Sequence, residues 1–422
     1  MNNLQKAQPI LSDQRSRLLL ALWLFSRLLI VIVVLLFGAT ETARSMGVVR
    51  GGWHLFTHWD GSFYREIATQ GYRFSPDLTA GVSVAFFPLF PLLSWGLTQF
   101  GIPFDVGGTL INNLAFGGAV FLLYRWISDS HPTAAVWVVA VLVLSPFSLF
   151  GAVAYTEGLF LLLTIAALRA YERYNYRWMA VCGALSTATR PTGIVLIPAF
   201  LLAAWWECRS AAAYFAGAIS AIGILSYSFY CWLQFDDPLA FLQAQYAWRS
   251  PSGFAWQGWL KILTQVFLGS VDWDNGILKT PWHPISLLGI AIAALCLWQT
   301  RQRWHSAIVD YSFCVLGLLI WIVVGDPVIN FAMVFGIGFL LWRSRFELSP
   351  IVLTYGFCAL GLILVSGSTI SLGRISYGVV SGTIALGLLL SKHPRWGYAM
   401  LSLFTLLLIS FSARFAQLFW AG

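Results

Sequence analysis

The stretch that decides the fold is LLLALWLFSRLLIVIVVLLF, residues 18–37, in which Arg27 is the single charged side chain. Apolar runs of similar length recur along the whole chain between short polar breaks, and 59% of the residues are hydrophobic while only 10% are charged. A helix needs about 20 predominantly apolar residues to cross a hydrocarbon core of about 30 Å. The sequence therefore predicts an all-α polytopic membrane protein with about 12–14 transmembrane helices, organised as one domain over residues 1–422.

The charged residues are distributed as expected for a membrane protein with short loops. The formal net charge is +8, but the basic side chains stand in breaks between apolar runs, so we expect no nucleic-acid partner. Cytoplasmic loops carry an excess of lysine and arginine. Arg15 and Arg17 precede the first run, which places the N-terminus in the cytoplasm and the loop 39–81 on the outer face. Five later basic breaks then fall on the cytoplasmic side, at residues 169–177, 207–209, 301–303, 343–345 and 392–395.

Three segments are not expected to form single straight spans. Residues 85–100 contain two prolines near their start, which favours a half-span. Residues 178–206 carry Arg190–Pro191 at their middle, so two short helices meeting at an outer turn are predicted. Residues 234–281 fall on the outer face and contain Trp-rich amphipathic stretches, which suit helices lying at the membrane interface.

The acidic residues are few, and the stretch FTHWDGSFYREIATQGYRFSPDLTAGVSVAFFPLFP, residues 56–91, holds several of them. Asp60 stands close to the outer membrane surface, where a carboxylate can act as a general base on a substrate held at the interface. The alternative is a helix N-cap, which Asp suits equally well. Glu157 opens another apolar run, so it must either cap that helix or face a polar cavity.

Three arginines are expected at or near membrane depth: Arg27, Arg190 and Arg374. Arginine at such depth is costly unless it snorkels or pairs with an anion. Arg27 could snorkel inward, whereas Arg190 and Arg374 fall on the same outer face as Asp60. A lipid phosphate is the natural anion for these two guanidinium groups.

We predict no cofactor. His54, His58 and Asp60 form an H-x3-H-x-D pattern that could bind a divalent metal, but this spacing has little specificity. The six cysteines stand singly in apolar segments without a C-x-x-C pair, which predicts free thiols in the core.

Several motifs resemble the PIG-V type GPI mannosyltransferase II family and its bacterial relatives, which belong to the GT-C class of membrane glycosyltransferases. In chain order they are Ser26-Arg27, WDGSFYREIATQGY (59–72), AFFPLFPLL (85–93), SPFSLFGAVAYTEGLF (145–160), ATRPTG (188–193), DPLAFLQAQYAW (237–248) and SLGR (371–374). The resemblance implies a GT-C-like bundle that transfers a hexose, typically mannose, from a polyprenyl-phosphate donor to an acceptor hydroxyl on the outer or lumenal face. It matches Asp60 to the first-loop acid of GT-C enzymes. One departure is the Ile-Ser after SLGR, where relatives often have an aromatic residue.

The implied chemistry is an inverting transfer with Asp60 as the base and with Arg190 and Arg374 holding the departing phosphate. The expected partners are the lipid-linked donor, a lipid or glycan acceptor, and membrane lipid. The full set of candidate substrate-binding residues is Trp59, Tyr64, Glu66, Tyr72, Glu157, Arg190, Gln245, Trp248, Arg374 and Arg27.

A flippase or transporter of a lipid-linked sugar is the alternative, because the same arginines would bind the phosphate without any proton transfer. A transporter is expected to concentrate polar residues in broken helices at mid-membrane. The large first outer loop with an acid at its start favours the enzyme.

Overall fold

The computed structural model describes residues 14–38, 52–75, 82–247, 253–254, 256–272, 277–366 and 369–419. The helices of the first half are α1 Gln14–Gly38, α2 Asp60–Gln70, α3 Leu89–Thr98, α4 Phe104–Ser130, α5 Ala135–Leu144, α6 Glu157–Glu172, α7 Tyr176–Thr187, α8 Leu196–Trp206, α9 Ala211–Ile219 and α10 Ile222–Phe235. Those of the second half are α11 Ala240–Ala244, α12 Trp256–Leu268, α13 Trp282–Thr300, α14 Ser306–Val324, α15 Asp326–Arg343, α16 Pro350–Val365, α17 Leu372–Tyr377, α18 Val380–Lys392 and α19 Pro394–Ala416. Two antiparallel two-residue strands, β1 Val271–Asp272 and β2 Ile277–Leu278, join α12 to α13.

The predicted all-α membrane class is confirmed. Within the described ranges, seven helical segments are long and apolar enough to cross a membrane, and five shorter apolar helices of 10–17 residues pack among them. Many of the long segments expose apolar side chains along much of their length, as a helix in contact with lipid does. The chain is therefore a multi-pass integral membrane protein.

The breaks in the apolar runs lie where the prolines predicted them. Helix α3 has only ten residues and follows Pro88, so residues 85–100 do not form a full-length span. The run 178–206 is divided into α7 and a second helical segment that begins at Pro191, which confirms the two predicted short helices. In the segment 234–281, α12 presents an apolar stripe on one face, as the sequence pattern predicted.

The core is formed where α4 packs on α6, α6 on α7, and α5 on α18. Small residues allow these helices to approach closely, since a Cβ at Gly387 of α18 would collide with the backbone of Val138 on α5. Helices α1 and α19 pack side by side against this core. This packing brings two connections together at one place in the bundle. One joins α5 to α6, and the other joins α7 to α8.

The prediction that all six cysteines are core thiols is wrong for two of them. Cys182 and Cys231 are buried, but Cys208 and Cys296 are exposed. Cys296 lies on an exposed side of α13, because an apolar run in a membrane protein faces lipid as readily as it faces the core. Cys208 lies in the turn that follows α8. All six are free thiols.

Candidate active site

Asp60 is the first residue of α2, where the helix dipole favours a carboxylate. The residue before it, Trp59, has a φ of 55°, a strained conformation for a bulky side chain. The Asp60 amide donates to the hydroxyl of Tyr155 at 3.2 Å, and that hydroxyl donates to the carbonyl of His58 at 3.3 Å. The backbone around Asp60 is thus fixed by a side chain from the loop that precedes α6.

Glu157 opens α6 in the same way, and it is only 1% exposed. Its position is set by Asn112 of α4, whose side-chain carbonyl accepts from the amide of Gly158 at 2.7 Å. The Asn112 side-chain amide donates to the carbonyls of Phe150 and Val153, both at 2.7 Å. One buried asparagine therefore holds both ends of the loop that carries Tyr155 and delivers Glu157.

The two acids meet two of the predicted arginines. Arg374 Nη2 donates to Asp60 Oδ2 at 2.5 Å, and its Nε lies 2.8 Å from Glu157 Oε1 as an ion pair. Arg190 Nη1 donates to the same Glu157 oxygen at 2.5 Å. We call the four side chains Asp60, Arg374, Glu157 and Arg190 the charge network. It contains two negative and two positive groups in a mostly buried position.

Ring contacts and a neighbouring backbone hydrogen bond fix the position of Arg374. Its guanidinium lies over the rings of Tyr155 and Phe150, 5.0 and 5.2 Å from their centroids. The neighbouring Gly373 donates its amide to Asn330 Oδ1 at 2.9 Å, and a Cβ at Gly373 would collide with a phenylalanine ring. Burial acts to lower the pKa of Arg374, but the two carboxylates outweigh it and raise that pKa above its usual value. Arg374 is therefore a fixed, permanently charged group.

The carboxylates differ in access. The side chain of Asp60 is 21% exposed, whereas that of Glu157 is 1% exposed and contacts both arginines. Glu157 Oε2 has no hydrogen-bond partner among the described residues. A hydroxyl group can therefore approach Asp60, while Glu157 is placed to hold the two arginines together. Among the described residues, Glu157 stands at the first position of α6 without a capping hydrogen bond, and its carboxylate binds the two arginines instead.

Two aromatic candidates lie at this site. Tyr64 is buried, with its hydroxyl 3.5 Å from Thr156 Oγ1, and burial raises the pKa of its phenol so that it stays neutral. Trp59 is adjacent to Asp60 and is 36% exposed. The structure thus brings Tyr64 and Trp59 beside the predicted base.

Arg27 does not snorkel. It is 7% exposed, its guanidinium stacks 4.4 Å from the ring of Phe116, and it donates to the carbonyl of Ser148 at 3.2 Å and to the Ser148 hydroxyl. Ser148 belongs to the short 3₁₀ turn 146–151 that also carries Phe150. Arg27 therefore stabilises the turn that carries Phe150, whose ring contacts Arg374, and Arg27 itself is outside the charge network.

Three other candidates lie away from the charge network. Glu66 is 3.7 Å from Arg73 on another face of α2, because six residues along a helix turn the side chain by about 240°. Gln245 is half-buried in the turn after α11. Tyr72 donates to the carbonyl of Phe86 at 2.8 Å. Trp248 lies outside the described residues.

Tyr72 lines an apolar groove of about 710 Å³ between α2, α3, α7 and α10. Ala188 lies in its wall, two residues before Arg190, and Leu185, Tyr227 and Tyr230 add further apolar surface. The groove wall therefore includes the segment that leads into Arg190. As for metals, the described part of the chain holds no cluster of three or more His, Cys, Asp or Glu side chains placed to bind one.

Three residues that position the charge network were not predicted from the sequence: Asn112, Tyr155 and Asn330. A signal was present for the first, because an Asn-Asn pair at residues 112–113 interrupts an apolar run. Polar amides in a spanning helix are costly unless they are satisfied, which marks them as structural or functional.

Comparison with known proteins confirms the resemblance inferred from the motifs. The chain is similar to the human protein named GPI alpha-1,6-mannosyltransferase 2, with 23% identity over 288 residues that cover 58% of this chain and 57% of the human protein. The protein of that name from Cricetulus griseus is 25% identical over 293 residues, which cover 57% of this chain and 56% of the relative. The chain thus matches little more than half the length of these relatives.

Among solved structures, an apo crystal structure of the Archaeoglobus fulgidus oligosaccharyltransferase aligns with 96% of this chain and 56% of its own, at a TM-score of 0.48 and 13% identity. No protein-family model matches the chain.

Proposed function

We propose that the chain is a membrane glycosyltransferase of the GT-C class that moves a hexose, typically mannose, from a polyprenyl-phosphate donor to an acceptor hydroxyl on the outer or lumenal face. The observation that carries this proposal is the charge network, in which one accessible carboxylate lies beside two arginines that a buried glutamate holds together. The similarity to two proteins named as mannosyltransferases supports the choice of sugar.

Asp60 is the general base of the proposed reaction. It takes the proton from the acceptor hydroxyl as that oxygen attacks the anomeric carbon from the face opposite the phosphate, and the bond to the phosphate oxygen breaks with its electron pair. The configuration at the anomeric carbon is thereby inverted. Solvent exposure supports Asp60 over Glu157 as the base. The Glu157 carboxylate is 1% exposed and bound to two guanidinium groups, so an acceptor hydroxyl has no room to reach it.

Arg374 and Arg190 stabilise the leaving group. Negative charge develops on the departing phosphate, and preorganised donors stabilise such charge most when they are already fixed in place. Each guanidinium has five N–H donors, and the contacts to Asp60 and Glu157 occupy only part of them. Glu157 therefore acts as a positioning residue that aims both cations at the phosphate.

The apolar groove supports a lipid-linked donor. At about 710 Å³ it is within the size range of specific ligand sites, and its wall includes Ala188, two residues before Arg190 in the sequence. In the proposed complex the polyprenyl chain lies in this groove and its phosphate is directed toward the charge network. The distribution of basic residues between the apolar runs supports the placement on the outer face.

The test is incubation of the purified protein with radiolabelled polyprenyl-phosphate mannose and a lipid extract of the host, with labelled polyprenyl-phosphate glucose as the matched donor control. We expect label to move from the mannose donor to a new lipid product, and to do so faster than from the glucose donor. A flippase would leave the donor chemically unchanged, so the absence of any labelled product would overturn the proposal.

A further inference from the structure

A second apolar cavity, of about 340 Å³, is lined by residues of α5 and the turn after it, and of α14, α15, α17, α18 and α19. It is separate from the groove beside Arg190, with which it shares no lining residue. Arg374 faces the charge network from one side of α17, and Ser376, two residues later, lines the cavity on another side. The short helix α17 therefore stands between the charge network and this cavity.

The cavity extends along α15. On α15 its wall runs from Val328 to Leu340, which is about 18 Å at 1.5 Å per residue. One leaflet of a bilayer is about 15 Å deep in its hydrocarbon part, half of a core of about 30 Å. The cavity therefore has the length of a single lipid chain. Exposed Ala332 lies at its rim, so a chain can enter from the membrane.

Unpartnered polar atoms collect at one end of this apolar cavity. Ser376 is fully buried, and neither its hydroxyl nor the Trp321 indole N–H has a hydrogen-bond partner among the described residues. Asn330 binds the amide of Gly373, which places α17 near the start of α15. Trp321 lies in the last turn of α14, next to that same start. Both donors are therefore at the α17 end.

Buried donors without partners are costly unless a ligand satisfies them. The hydrocarbon of a polyprenyl chain has no acceptor to offer, whereas the carbonyl of an ester- or amide-linked acyl chain does. We infer that this cavity binds an acyl chain of the lipid that accepts the sugar, with the acyl carbonyl at Ser376 and Trp321. This inference rests on the proposed function, and it gives donor and acceptor lipids separate sites on two sides of the charge network.

A larger side chain at Gly336 is expected to block the cavity. Gly336 lines the wall on α15, and a Cβ there would meet no heavy atom within 4 Å, so Gly336→Phe is expected to place its ring in the cavity. Gly361 of α16 is equally open but lies outside the cavity. Gly361→Phe is therefore the matched control.

The binding probe is a phosphatidylglycerol with a photoactivatable diazirine on one palmitoyl chain, used on the full-length protein in lipid nanodiscs. We expect crosslinks to peptides of α15 and α19 in the wild type and in Gly361→Phe, and their loss in Gly336→Phe. A polyprenyl phosphate with a diazirine in its prenyl chain should crosslink instead near Tyr230 in all three proteins. Absence of acyl crosslinks in the cavity of the wild type would overturn the inference.

Measuring sugar transfer to the host lipid extract shows whether the cavity binds the acceptor lipid or only bulk membrane lipid. Excluding even two methylenes of a buried chain lowers binding by about tenfold, so Gly336→Phe should lower transfer at limiting extract by at least that factor while Gly361→Phe does not. Normal transfer by a crosslink-negative Gly336→Phe would show a bulk-lipid site and contradict the acceptor assignment. If the wild type itself transfers no sugar, the proposed function fails, whereas acyl crosslinks would still support an acyl-chain site.

Discussion

Replacing Glu157 with glutamine tests whether the charge network holds the bundle together as well as the substrate. One Glu157 oxygen lies 2.5 Å from Arg190 and 2.8 Å from Arg374, and the side chain is 1% exposed. Removing one partner of a buried ion pair costs about 3–5 kcal/mol, because it leaves a buried charge uncompensated. Since glutamine keeps a carbonyl oxygen for one hydrogen bond, we expect the lower end, a loss of about 3 kcal/mol in the free energy of unfolding.

The assay is unfolding in mild detergent followed by tryptophan fluorescence, with Glu66→Gln as the control. Glu66 is about one-third exposed and lies 3.7 Å from Arg73, so its replacement should change the free energy of unfolding by no more than about 0.5 kcal/mol. The double variant Glu157→Gln/Arg190→Gln restores charge balance and should lose less than the sum of its two single variants. Equal stability of Glu157→Gln and Glu66→Gln would refute the reasoning.

Three further perturbations test the phosphate contacts, the membrane topology and the pH dependence of stability. Arg374→Ala and Arg190→Ala should each weaken binding of polyprenyl phosphate by about 1.5–3 kcal/mol in a titration, with lysine restoring only part because it lacks the bidentate fork; unchanged affinity in both would remove the phosphate assignment. In a variant without native cysteines, a cysteine at Gln302 should be shielded from an impermeant thiol reagent in intact cells and one at Thr69 should react, and the reverse pattern would invert the topology. Burial lowers the pKa of His58 from its usual 6.5, so the unfolded chain binds more protons below that pH and stability should fall as the pH drops through this range; a His58→Gln variant with the same decline would contradict this.

Much of the local structure could be predicted from the sequence because it depends on neighbouring residues. The break at Arg190–Pro191 follows from the missing amide and fixed φ of proline. Asp60 and Glu157 both lie at helix starts, as acids next to apolar runs predict. Each of these features depends only on residues a few positions away in the sequence.

The pairing inside the charge network could not be predicted in the same way. Asp60 and Arg374 are 314 residues apart in sequence, and their contact depends on how α2, α6 and α17 pack. Glu66 was also a candidate for substrate binding, but the helical turn of α2 directs it toward Arg73 instead. The Asn-Asn pair at residues 112–113 marked its helix as unusual, but which segments Asn112 and Asn330 fix is set by contacts distant in sequence.

The central claim is that Asp60 accepts a proton during sugar transfer, and Asp60→Asn tests it most directly. Asparagine keeps the shape and can still accept a hydrogen bond from Arg374, but it is not basic. We expect a folded protein that binds the lipid-linked donor with an affinity within a few-fold of the wild type and turns over about 10²- to 10⁴-fold more slowly. A folded Asp60→Asn protein that transfers sugar at a near-normal rate would contradict the account.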